Sequence, residues 1–384
     1  MENELSKGVA VVAATVPSVI GQFCTMEISL LKEMGYTVHV ATNFRGTSNW
    51  SIERNNEFKS KLESEGVQTH QIAYSRSPLA IKEHVTAFRQ MRKLIRHNDV
   101  RLVHVSTPIA GALCRLSALF SRVKVVYMAH GFHFYRGAPV RNWLIYYPIE
   151  WLCSFNTETL ITINLEDYER AEKHLHARRI RYVPGVGVDC SRFAFSDGER
   201  IKSELGLSSK DKLIVSIGEL NKNKNHEAII HALRYLPKGV HYAIAGDGAL
   251  GETLRSIAVN EGVSSRLHLM GYRTDVQDIL GAADVFALPS LREGLNVSLM
   301  EAMASGLVCV CKAIRGNVDL IDEGLGGILV KDDTPAEWAR CLERALTMDR
   351  VLVAEHNKSK MKGFSKVVVE NRLRSILKES LSTV

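Results

Sequence analysis

Short apolar runs alternate with longer amphipathic stretches along the whole chain. In the first half GVAVVAAT (8–15), YTVHVAT (36–42), RLVHVS (101–106), VKVVYMAH (123–130) and TLITIN (159–164) read as strands. In the second half KLIVSIG (212–218), VHYAIAG (240–246), RLHLMG (266–271), ADVFALP (283–289) and LVCVCKA (307–313) do the same. Helical periodicity fills the gaps. Runs that are apolar throughout predict strands buried on both faces, hence parallel sheets covered by helices. Between the halves, VPGVGVDCSRFAFSDGER (183–200) has weak periodicity and turn-forming residues, and is the expected linker. The pattern predicts an α/β protein of two Rossmann-like, doubly wound domains facing a cleft. Their expected bounds are 1–188 and 189–364, with a closing amphipathic helix at 365–384.

The stretch SLREGLNVSLMEAMASG (290–306) interrupts this regularity with two glutamates, Glu293 and Glu301, in a run otherwise mostly small or apolar. Asn296 as N-cap and Gly306 beyond the C-terminus predict a helix over 297–305. At 3.6 residues per turn, Ser298, Glu301 and Ser305 share its only polar stripe. Glu293 falls in the turn before it, with Gly294, at the carboxyl end of a strand, where open α/β sheets bind ligands. The free N–H groups of the helix start suit a diphosphate, and carboxylates suit sugar hydroxyls. Spacing alone leaves open a helix-start glutamate followed by a bonded core glutamate. In SIGELNKNKNHEAIIHAL (216–233), a strand and a glycine turn lead to a helix near Asn225, with Lys222 and Lys224 at its mouth. Such lysines suit phosphate charge, or simply a solvated loop.

Composition narrows the field. The chain has 384 residues, 46% hydrophobic and 24% charged, as for a globular protein of more than one domain. Seven cysteines, single except for Cys309 and Cys311, lack ligand-type spacing and predict a reduced cytoplasmic chain without disulfides or zinc. The first apolar run is short and broken by Pro17, which argues against a signal peptide, and no run is long enough to span a bilayer. A net charge of +7 favours an anionic partner. No recognisable nucleic-acid module accompanies it.

Gly218-Glu-Leu with Lys224, the Gly246-Asp247-Gly248 turn, and Glu293 with Glu301 together resemble glycosyltransferase family 4. MAHGFHFYRGAP and the aromatic segment through 164 look like its bacterial capsular and exopolysaccharide branch. The resemblance spans essentially the whole chain. It implies a GT-B fold, a closing helix that returns to the first domain, and a retaining transferase acting on a nucleotide-sugar, UDP before GDP. Glu293 would contact the donor sugar, Glu301 the ribose, and the backbone of Leu295, Asn296 and Val297 the diphosphate. Lys224 matches the phosphate-binding lysine. The arginine expected after Gly218 is replaced by Glu219, so Lys222 or another arginine would compensate. In the first domain, Gly21 would open a helix after the first strand and let the donor phosphate or acceptor approach. His130 would face the reacting sugar. No Asp-x-Asp occurs, and neither metal nor cofactor is expected. The acceptor would be a polyprenyl-diphosphate-linked or free saccharide.

PLAIKEHVTAFRQMRKLIRHND (78–99) reads as a helix whose Lys82, Arg89, Lys93 and Arg96 form one stripe, opposite Phe88, Met91, Leu94 and Ile95. The stripe either lies on anionic lipid at the inner face of the plasma membrane or is simply solvated. NWLIYYPIEWLCSF (142–155) either packs into the core or joins that interface. Two rivals are weaker. GDGALG (246–251) matches a dinucleotide fingerprint, which would make the chain a nicotinamide-dependent oxidoreductase. It follows the second strand of its domain, and no acidic residue ends the next. A glycoside hydrolase would use both glutamates but has no need of the lysines.

Overall fold

The computed structural model describes residues 7–46, 50–193 and 196–382. The ends of the expected 1–188 domain and 365–384 helix, and residues 194–195 of the expected linker, lie outside these. The chain forms two compact units, 1–183 with 370–384, and 184–369.

The first unit is built on strands β1 (Val9–Ala13), β2 (Thr37–Thr42), β3 (Gln68–Gln71), β4 (Val100–Val105), β5 (Lys124–Ala129), β6 (Thr159–Thr162) and β7 (Arg179–Tyr182). Their order across the sheet is β3-β2-β1-β4-β5-β6-β7. Every pairing is parallel. The strand order reverses between β1 and β4, as in a doubly wound sheet. One face is covered by helices Ile81–His97, Pro108–Ser117 and Val140–Ser154. There Val11, Val103, Val105 and Tyr127 meet Met91, Leu94 and Cys114 in one buried cluster. Residues 370–382 belong to this unit as well. Glu379 accepts from Arg179 and Arg181, and Ser380 shares a hydrogen bond of 2.7 Å with Thr159.

The second unit contains β8 (Lys212–Ile217), β9 (Val240–Ala245), β10 (Leu267–Gly271), β11 (Val285–Leu288), β12 (Val308–Lys312) and β13 (Gly327–Val330). The sheet order is β10-β9-β8-β11-β12-β13, again all parallel. Its switch point lies between β8 and β11. Ligands of such sheets bind beyond the carboxyl ends of the strands there, and Gly218 and Glu293 follow those two strands.

Candidate active site in the second unit

The loops after β8 and β11 are knitted together. Leu291 N–H donates to the Asn223 carbonyl (2.8 Å), and the Asn223 and Asn225 side chains donate to the carbonyls of Arg292 and Pro289. Asn225 holds a left-handed φ of 52°, which asparagine tolerates better than most residues. This frame brings Lys224 Nζ to 2.8 Å from Glu293 Oε1, both largely buried. The pair is an ammonium and a carboxylate held at a helix start, able to grip a phosphate and a hydroxyl side by side.

Helix Val297–Ser305 starts directly behind. The Asn296 side chain accepts from Leu299 N–H at 2.9 Å, and Gly306 closes the helix with a φ of 90°. Ser298 Oγ donates to the Ile217 carbonyl at 3.0 Å, so the helix start is tied to the end of β8. Leu295 and Asn296 are buried, and Gly294 and Val297 partly so. Glu301 sits on the helix's polar stripe, with its carboxyl raised by burial, while the charges of Arg192 and Lys366 pull it down. Lys222 and Glu219 are exposed at the rim.

Several supporting residues have no motif to announce them. His226 Nδ1 lies 3.0 Å from Tyr242 Oη, Tyr242 donates to Ser216 Oγ (2.8 Å), and Ser216 donates to the Ala287 carbonyl (2.6 Å). This buried chain ties β8, β9 and β11 together beneath Lys224. Burial, helped by the Lys224 charge, lowers His226 to about 4, so the ring stays neutral near pH 7. Arg315 Nε donates to the Glu293 carbonyl at 3.2 Å. Arg315 is buried and lies one helix and one strand beyond Glu293, after β12, and it carried no sequence signal. Among the described residues, no group of His, Cys, Asp or Glu is placed to hold a metal ion.

The glycines of the GDGALG turn serve packing. A Cβ on Gly246 would collide with the Gly218 carbonyl, and one on Gly248 would meet the Leu220 backbone. Leu220 N–H donates to the Asp247 carbonyl at 2.9 Å, which locks the two turns together. These contacts account for both glycines without a dinucleotide.

Two predicted residues lie in the first unit. Gly21 does not open a helix: helix Pro17–Phe23 begins four residues earlier, where Pro17 suits its first turn. Gly21 is inside it because the Trp50 ring occupies the place of a Cβ. His130 follows β5 and lies against Phe23, ring centres 5.5 Å apart. Its Nε2 is buried without a hydrogen-bond partner, and burial lowers the ring to about 4. It is therefore a neutral imidazole with an unused nitrogen. Its neighbour His104, wholly buried with neither nitrogen bonded, is lowered to about 3 by burial and by His130.

Residues 197–362 match the family profile described as glycosyl transferases group 1, and residues 22–192 that of glycosyltransferase family 4. The chain is 34% identical over 324 residues to "Putative glycosyltransferase EpsD" of Bacillus subtilis (strain 168), covering 82% of this chain and 81% of that protein. The chain belongs to glycosyltransferase family 4. The enzyme is also 32% identical over 272 residues to the UDP-Gal:alpha-D-GlcNAc-diphosphoundecaprenol alpha-1,3-galactosyltransferase of Escherichia coli, covering 68% of this chain and 70% of that one. Among solved structures, Anabaena Alr3699/HepE with UDP and glucose matches at a TM-score of 0.77 and 17% identity, over 96% of this chain and 99% of that one. WaaG, a glycosyltransferase involved in lipopolysaccharide biosynthesis, matches at 0.72 and 17% identity over 96% and 99%. The fold is that of GT-B glycosyltransferases, and nothing in these likenesses supports an oxidoreductase.

Proposed function

We propose that this glycosyltransferase is a retaining, metal-independent hexosyltransferase that moves a sugar from a UDP-sugar to a polyprenyl-diphosphate-linked saccharide in exopolysaccharide or capsule assembly. The observation that carries the reading is the Lys224–Glu293 pair at the β8/β11 switch point, directly before a capped helix start. UDP is the nucleotide named for the E. coli relative and the one bound in HepE. A diphosphate-linked lipid acceptor is named for that relative and for a Campylobacter jejuni one.

Chemistry follows from charge. As the sugar leaves, negative charge grows on the departing phosphate and positive charge on the anomeric carbon. Lys224 and the N–H groups of residues 295–297 stabilise the phosphate without needing to reorganise. Glu293 orients the donor sugar through its hydroxyls, and Glu301 holds the ribose. His130, neutral with Nε2 unpaired, is the candidate contact to the reacting sugar. No side chain is assigned as nucleophile. The acceptor hydroxyl attacks from the face the phosphate leaves, and its proton passes to that phosphate.

Helix Ile81–His97 exposes Lys82, Arg89, Lys93 and Arg96. No described helix is long and apolar enough to cross a membrane. We place the enzyme at the surface of an anionic cytoplasmic bilayer through these four cations. The deciding experiment is a thermal-shift screen against UDP-, GDP- and ADP-sugars and NADH, followed by NMR of the product anomer with and without chelator. Stabilisation by NADH alone, an inverted anomer, or activity abolished by chelator would each remove the corresponding part of the reading.

A further inference from the structure

The helix Val140–Ser154 is apolar on both faces, which is unusual for a helix at a protein surface. Trp143, Tyr146 and Tyr147 turn inward onto the core. The outward side carries Val140 and Leu144, each 72% exposed, Leu152 at 63%, and beyond the helix Phe155 at 59%. Its one exposed charge is Arg141, because Glu150 is buried against Arg115. An apolar patch of this kind on a helix that could have been polar calls for an occupant.

Beside it lies a cavity of about 150 Å³ with almost wholly apolar walls. Ile109 and Leu113 line one side, and Ile145 and Ile149 the other. Ile145 and Ile149 are 45% and 44% exposed, so the cavity meets solvent at the apolar helix face. Walls of aliphatic and aromatic carbon favour hydrocarbon over water. The floor is stiff. Arg115 donates to both Glu150 oxygens (2.5 and 2.9 Å), and its guanidinium lies over Tyr127 at 4.4 Å.

Two further relations define the occupant. Phe132 and Phe134, which also line the cavity, belong to the loop that begins at His130. Pro78 and His84 line it too, one just before and one within helix Ile81–His97, and His84 stands two residues after the exposed Lys82. A hydrocarbon slot walled by the candidate sugar-facing loop and by the helix that carries the exposed cations fits an amphiphile with an anionic head and a long tail. We infer that the cavity and the exposed face of helix Val140–Ser154 hold the isoprenoid chain of the polyprenyl-diphosphate acceptor. The inference rests on the acceptor class proposed above and assigns the residues that would read its lipid part.

The test uses the full-length enzyme and a farnesyl diphosphate carrying a diazirine in its chain, with crosslinks mapped by mass spectrometry. Labels are expected on peptides containing Leu113 and Ile145–Ile149. Ala112→Trp, which fills the cavity, and Ile149→Asp, at its exposed mouth, should each reduce labelling about tenfold, as loss of roughly two buried methylenes would. Undecaprenyl phosphate in detergent should compete, and phosphatidylglycerol in the same detergent should not. Labelling unchanged in both variants, or equal displacement by phosphatidylglycerol, overturns the inference, the latter in favour of general membrane docking. Thermal stabilisation by UDP-sugar, measured in parallel, should survive in both variants. Its absence in the unmodified enzyme sinks the donor reading independently of where the label lands.

Discussion

Lys224 Nζ lies 2.8 Å from Glu293 Oε1, although 69 positions separate the two residues in sequence. The pair joins the turns after β8 and β11, so each residue holds the other where a donor would meet both. Before the donor arrives, the carboxylate neutralises the ammonium. On the proposed reading, a bound diphosphate would give Lys224 a second anion to serve and free Glu293 toward hydroxyls. Lys224→Ala should therefore cut kcat/KM by about 10² to 10³, the usual cost of deleting one preorganised charge donor. Glu293→Gln should retain UDP binding by calorimetry yet lose turnover to a similar degree. Equal loss of UDP affinity in both variants would show that the two act as one phosphate site.

Tyr242 supports that pair from below. Its hydroxyl stands between His226 and Ser216 in a fully buried chain. Tyr242→Phe keeps the ring and removes the hydroxyl, leaving His226 Nδ1 without this partner. A buried polar group deprived of its hydrogen bond costs about 1–3 kcal/mol, and urea unfolding should register that loss. Because His226 lies two residues from Lys224, the donor KM should rise as well. A stability loss with unchanged KM would make the chain purely structural.

The alternation of apolar strands with helices was legible because strands in the middle of a parallel sheet are buried on both faces. QTHQ (β3), RIRY (β7) and GILV (β13) escaped notice, and all three are edge strands. β3 and β7 are only partly buried, so nothing requires them to be apolar. The capped helix at 297–305 was readable from Asn296, Gly306 and its single polar stripe, since those signals are local. The His226–Tyr242–Ser216 chain was not, because each member is unremarkable alone and only the sheet brings them together. Helix Val140–Ser154 defeated an either-or reading. Trp143, Tyr146 and Tyr147 pack inward while Val140, Leu144, Trp151 and Leu152 are exposed, a division that composition does not encode.

Arg115 and Glu150 form a nearly inaccessible ion pair joining helices Pro108–Ser117 and Val140–Ser154. Burial alone would lower the arginine, but the Glu150 charge and hydrogen bonds reverse that and raise it. Glu150→Ala would leave a guanidinium buried without its counter-ion, at a cost of about 3–5 kcal/mol. Replacing both, as Arg115→Met with Glu150→Leu, removes the uncompensated charge and should restore much of that stability. Chemical denaturation of the two variants checks the order. A double variant no more stable than Glu150→Ala would mean that the pair contributes more than charge neutralisation.

Glu27 opens a different experiment. It lies in the first turn of helix Thr25–Glu33, 1% exposed, with Oε2 unbonded, and burial raises its carboxyl from 4.5 to about 7. Between those values the folded protein holds a proton that the unfolded chain has released, so this group makes stability fall as pH rises. His104, His130 and His226 act in the opposite direction. Burial lowers each of them from 6.5 to about 3 or 4, so their contribution is intact above pH 6.5 and lost on acidification toward those values. The two slopes overlap and partly cancel. Glu27→Gln removes one of them. The variant should match the parent below pH 4.5, gain on it progressively, and exceed it by up to about 3 kcal/mol above pH 7. Its unfolding free energy should also climb more steeply between pH 5 and 6.5, where the opposing slope of Glu27 is gone. Parallel curves for parent and variant across that range would mean that Glu27 is solvated or paired in the folded protein.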